Sequence, residues 1–161
     1  MKSSIFFFLF TFLTSFSSFA EVAEIFYIKG GVTVIKGDEN GVPAQVGMKL
    51  SEGDEVETQA GSMAIVSFLG ASKLKIDPES KLIIEAYKGK TKEEDKTFTR
   101  FYLQWGAAVI DFVNGKKEHE LEVKTRQAAM AVRGTNFFVG YGDGEERGDV
   151  YTLVNEGKVS A

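Results

Sequence analysis

His119 is the sole histidine among 161 residues, and the chain has no cysteine. Those two counts bound the available chemistry. A zinc site would need mostly carboxylates, which zinc sites rarely use alone. A Ser-His-Asp relay would have to use His119, which stands in "KKEHELEV", the charged approach to a strand, and reads as a solvated strand-end histidine. Acids gather in "YGDGEERGDV" as Asp143, Glu145, Glu146 and Asp149. Alternate acids can hold calcium, but Arg147 falls where an EF-hand loop needs an oxygen ligand, so a solvated hairpin loop is expected. Gly30-Gly31 is not followed by a helical pattern and is no phosphate loop. The single tryptophan, Trp105, can stack on a sugar ring or cap the core. The expectation is no catalytic residue, no metal, no cofactor and no enzymatic activity, with Trp105 as a possible ligand contact.

Two stretches hold residue types too particular to be filler. In "MKLSEGDEVET" (48–58), Leu50 and Val56 are spaced to face inward around a turn at Gly53-Asp54, whose aspartate can bond nearby backbone. In "AAMAVRGTNFFVGYG" (128–142), Arg133-Gly134-Thr135 interrupts two apolar runs. A ligand-gripping arginine is one explanation and a structural corner is the other. The corner is favoured: Gly134 lets the chain bend or another backbone approach, and Thr135 restarts the strand. Arg133 then pairs inward with a carboxylate or backbone carbonyls, with Asp54 and Glu156 as candidates.

The elements that must position these residues follow a period of two. "SMAIVSFLG" sets Ala64, Val66 and Phe68 on one face, and "SKLKID" sets Leu74 and Ile76 inward before an Asp77-Pro78 turn. "FTRFYLQWGAAVIDFV" reads as two strands joined at Gly106, and "HELEVKT" alternates Leu121 with Val123. "TRQAAMAV" is the one helix-tolerant stretch and is assigned to strand or loop. A last strand precedes a turn at Glu156-Gly157 and the start of one more. The expected fold is a single all-β domain of roughly ten to thirteen short strands, a β-sandwich or a solenoid-like β-roll.

Residues 1–20 are a separate unit. Lys2 precedes the apolar run Ile5–Phe16, and Ser18 and Ala20 occupy the small positions of a cleavage site before Glu21. This is the pattern of a secretory signal peptide, and the run is short for a membrane span. The domain is then 21–161, with a charged loop at 88–96 and no membrane span after cleavage. Residues 1–20 hold one lysine and no acid, so 19 basic residues become 18 against the same 23 acidic ones, a net charge of −5. An acidic, exported chain is not expected to bind nucleic acid. A periplasmic location is expected, with secretion as the alternative.

Taken in order, these motifs resemble the FecR domain, the periplasmic domain of ferric-citrate-type signalling regulators and of related exported proteins. Leu50, Gly53, Asp54, Val56 and Thr58 match its Leu-x-x-Gly-Asp-x-Val-x-Thr segment, and Ser62, Ala64, Val66 and Phe68 its following strand. Val132-Arg133-Gly134-Thr135 with Phe137 and Val139, then Glu156-Gly157-x-Val159, match its closing elements. Arg126 stands where the family often has proline, and Gly70-Ala71-Ser72 where it has Asp-Gly-Ser. The resemblance implies a non-enzymatic, all-β envelope module for protein binding, scaffolding or signalling. Gly53, Asp54, Arg133, Gly134, Thr135 and Gly157 are then its structural motif. The regulators' cytoplasmic tail and spanning helix are replaced here by the signal peptide, so control of a sigma factor is not carried over. The expected partner is an envelope protein, or, on the alternative reading, cell-wall glycan.

Overall fold

The computed structural model describes residues 21–37, 39–68, 72–88, 97–112, 119–141 and 150–160, with the backbone alone at 87, 133–135 and 154–160. The expected signal peptide, most of the charged loop and the acidic 143–149 stretch lie outside the described residues. The twelve elements among those described are all strands. They are β1 Glu21–Lys29, β2 Val32–Ile35, β3 Val42–Pro43, β4 Lys49–Ser51, β5 Glu55–Thr58 and β6 Met63–Phe68. The remaining six are β7 Ser72–Ile76, β8 Ser80–Lys88, β9 Thr97–Asp111, β10 His119–Lys124, β11 Ala129–Tyr141 and β12 Val150–Ser160.

The period-two pattern becomes burial directly. Ala64, Val66 and Phe68 of β6 face the core, as do Leu74 and Ile76 of β7 and Leu121 and Val123 of β10. Phe68 meets Phe101 edge-on at 5.1 Å and stacks on Phe112 at 6.4 Å, which ties β6 to the first half of β9 and to the residue that follows it. Such ring pairs contribute about 0.5–1.5 kcal/mol beyond the area they bury.

All twelve strands belong to one hydrogen-bonded sheet that curls on itself, rather than to two separate sheets. Its main path runs β3-β2-β5-β8-β9-β7-β6-β1-β4. β9 pairs with β8 through Phe98–Trp105 and with β10, in parallel, through Thr97–Tyr102. Beyond Gly106 it pairs with β7 through Ala108–Asp111 and with β11 through Gly106–Asp111. β10 in turn pairs with β11, so β9, β10 and β11 close a ring.

The ring requires β9 to bend. A straight strand would put Asp111 about 46 Å from Thr97, yet the eight residues from Asp111 to His119 span at most about 28 Å. His119 nevertheless sits opposite Thr97. The bend is at Gly106, with φ +87°. Burial records it: Thr97, Thr99, Phe101 and Leu103 are buried before it, and Ala108, Ile110 and Phe112 after it. The inward face changes from odd to even positions, as a one-residue slip in a strand demands. A Cβ at Gly106 would lie 2.1 Å from Ser80 Oγ and 2.5 Å from Ser80 Cα, so no side chain fits. The expected pair of strands joined at Gly106 is therefore one strand of 15 residues with the joint inside it.

β11 repeats the device. Ala129–Val132 pairs with β10, and Asn136–Tyr141 with the far half of β9. Met130 and Val132 are buried before the interruption, Phe137 and Val139 after it. Arg133, Gly134 and Thr135 are where β11 changes both its neighbour and its inward face. The corner expected there is a register shift within one continuous strand. Against β12, the register shifts between Arg133 and Asn136 and again between Asn136 and Phe137. The turn expected at Glu156-Gly157 is absent, because both residues lie inside β12, where Glu156 opposes Asn136. Gly157 falls in the first shift, between Lys158 opposite Arg133 and Glu156 opposite Asn136, which gives the glycine a place in a strand.

Candidate functional site

The bend of β9 builds a groove. Ser80 begins β8 and is fully buried, and its Oγ accepts the Ala107 N–H at 2.9 Å. Thr58, also buried, accepts the Ser80 N–H at 3.1 Å and donates to the Asp77 carbonyl at 2.6 Å. Two hydroxyls thus fasten the β7–β8 turn, Asp77-Pro78-Glu79, against the bend. Buried polar groups satisfied in this way hold one geometry, since breaking either bond orphans a desolvated group.

The turn and the bend form one wall of an open groove of about 630 Å³, and β11 and β12 form the other. Its lining is Trp105, Gly106 and Ala107 on β9, Phe138, Gly140 and Tyr141 on β11, Tyr151 on β12, and Pro78 and Glu79 on the turn. Four of these are aromatic and one is a carboxylate. Phe138 lies across Gly140, whose added Cβ would come within 3.1 Å of the ring. Glu79 is the one residue other than glycine with positive φ, +52°, among the described residues. Left-handed backbone at a non-glycine residue is strained, and such strain clusters at ligand sites. Lys81 bonds Glu55 at 2.6 Å and holds its Nζ 5.3 Å from the centre of the Trp105 ring.

The other sequence-derived positions lie elsewhere. Gly53 has φ +90°, and the Asp54 carboxylate accepts the Ser51 N–H at 2.9 Å, closing the turn between β4 and β5. Asp54 is buried, and its nearest cation is Lys36 at 3.7 Å. Its backbone and that of Gly53 also reach β8, through Ile84. This turn is a structural tie with no part in the groove. The backbone of Arg133 stands opposite Lys158, and its side chain lies outside the described part. His119 shares a hydrogen bond at Nδ1 with Thr97 at the start of β10. Arg100 pairs with Glu122 and, at 3.6 Å, with Glu85, while Lys124 reaches Glu85 at 3.3 Å. These pairs lace β8, β9 and β10 together on a part-exposed face, where each contributes about 0–1 kcal/mol. Among the described residues, no three His, Asp or Glu side chains gather as a metal site.

Of the groove, the sequence singles out Trp105 alone as a ligand contact, and Pro78 and Gly106 only as a turn and a strand joint. The signal for Phe138, Tyr151 and the neighbouring Leu153 was present, because large apolar residues stand at the outward positions of alternating strands. Tyr151 and Leu153 are 46% and 62% exposed, and they oppose Gly140 and Phe138 across the β11–β12 ladder. β12 pairs with β11 alone among the described residues, and so presents its other edge.

The chain is thus an all-β domain, wound as one sheet around a bent central strand, with an aromatic groove beside a strand edge that is unpaired among the described residues. The family described as FecR protein matches residues 54–160, two thirds of the chain. The chain belongs to that family, which suggests a module of the signalling-regulator type. Comparison with curated proteins returned no match, and comparison with solved structures returned none either.

Proposed function

We propose that this chain is a non-enzymatic, exported module of the periplasm that binds a partner protein in a scaffolding or signalling role. The observation that carries the reading is β12, an 11-residue strand paired on one side among the described residues, with Tyr151 and Leu153 exposed upon it. An unpaired edge templates the addition of another strand, with backbone bonds supplying affinity and side-chain pockets supplying specificity. The groove next to Tyr151 is such a pocket.

The test is capture of partners from an envelope extract, with crosslinking, by wild type and by Tyr151→Lys/Leu153→Lys. Two lysines on the edge oppose strand addition and leave the core untouched. Expected is a discrete partner held by wild type and lost by the variant at unchanged melting temperature. Identical recoveries, or no partner with either protein, would overturn the reading.

A second reading, binding of envelope glycan, draws on the placement of Trp105 in the groove. It expects wild type to sediment with cell-wall material and Trp105→Ala to remain in solution while folded. Wild type that stays in solution would count decisively against it.

A further inference from the structure

The geometry points to a groove built for a cationic side chain, an arginine or lysine that an extended basic segment of the partner presents while running beside β12. This rests on the protein-binding reading and names what the partner must carry.

The polar inventory decides between ligand classes. A sugar ring offers several hydroxyls, each needing a hydrogen-bond partner when buried. The groove side chains offer one carboxylate, Glu79, two phenols, Tyr141 and Tyr151, and the Trp105 N–H. Among the described residues, no asparagine, glutamine, arginine or second acid lines it. That set is poor for a polyol. It suits a cation, which needs aromatic faces and one negative charge. The molecule already uses the interaction internally: Lys73 lies 4.2 Å from the centre of the Phe26 ring and Arg100 4.9 Å from that of Phe98. Lys81 supplies a further cation to Trp105, and its own charge is met by Glu55, which leaves Glu79 as the groove's carboxylate.

Two further observations favour a basic segment. The net charge, −4 for the whole chain and −5 without residues 1–20, attracts basic partners over distance. Glu79 also keeps a left-handed backbone that glycine would adopt without strain, at the mouth of the groove. A carboxylate held there against its conformational preference is accounted for by a ligand that pairs with it.

Trp105 is the only tryptophan, so its emission reports on the groove. The probe is a capped hexapeptide of alternating threonine and valine with one central arginine. The control replaces arginine with citrulline, which is neutral and of the same shape. Expected is a saturable change in Trp105 emission, with the arginine peptide bound roughly five- to tenfold tighter than the citrulline peptide. Glu79→Gln is expected to remove most of that difference, and Tyr151→Lys/Leu153→Lys to weaken both peptides. Equal binding of the two peptides overturns the cation while the edge reading stands, provided the edge variant still weakens both. Saturation by chitotetraose with no response to the arginine peptide overturns it in favour of glycan. No response to any probe overturns it outright, and partner capture then decides separately whether the edge is used.

Discussion

Gly106 and Glu79 lie on opposite sides of the same joint and break opposite rules. Gly106 sits where a strand wants a side chain, because Ser80 fills the space a Cβ would need. Gly106→Ala combines a clash against buried backbone with a left-handed φ, so a loss of about 2–4 kcal/mol is expected in urea denaturation. A loss under about 1 kcal/mol would mean the bend can relax elsewhere. Glu79 is the reverse case, a side chain where glycine is at ease. Glu79→Gly should hold or raise the melting temperature, by up to about 1 kcal/mol of relieved strain, while weakening partner binding. A lower melting temperature would assign the carboxylate a structural role instead. Neither position was legible beforehand for what it does. A glycine in a sequence looks the same whether it ends a strand or bends one, and the space that excludes a Cβ is set by Ser80, 26 residues earlier in the chain.

Among the elements, short strands were legible and long ones were not. Ala64, Val66 and Phe68, or Leu74 and Ile76, announce their inward face because each strand keeps one face throughout. β9 and β11 change face midway, so their patterns read as two shorter strands with something between. For β11 that something is Arg133-Gly134-Thr135, and its residue count matters more than its charge. Deleting Gly134 would put Met130, Val132, Phe137 and Val139 in strict alternation and remove the extra residue with which β11 changes neighbours, so that its 136–141 half slips by one position against β9 and β12. The expected outcome is loss of the cooperative thermal transition by circular dichroism. A deletion variant melting within a few degrees of wild type would show that the register shift is dispensable. The edge of β12 is not legible in the sequence, since pairing is a property of the sheet and not of the strand.

For the whole molecule, half of the twelve pairings among the described residues join strands that are not consecutive: β1 with β4 and β6, β5 with β2 and β8, and β9 with β7 and β11. Non-local sheets fold slowly because loop closure precedes the contacts that reward it. Refolding followed by Trp105 emission is expected in the range of about milliseconds to seconds. Full recovery within microseconds would contradict the closed ring. With no cysteine, no thiol exchange adds a slower phase.

The bent strand β9 also divides the molecule by sequence. The described residues before 89 make two four-stranded halves, β3-β2-β5-β8 and β7-β6-β1-β4, whose β8 and β7 each await the same missing neighbour, and the described residues after 96 begin with that neighbour. A break in the backbone within the charged segment between them would leave two peptides with complementary hydrogen-bonding edges, one of them carrying the only tryptophan. The fold is in this sense a donor and an acceptor already joined, and the joining segment 89–96 contains no apolar side chain.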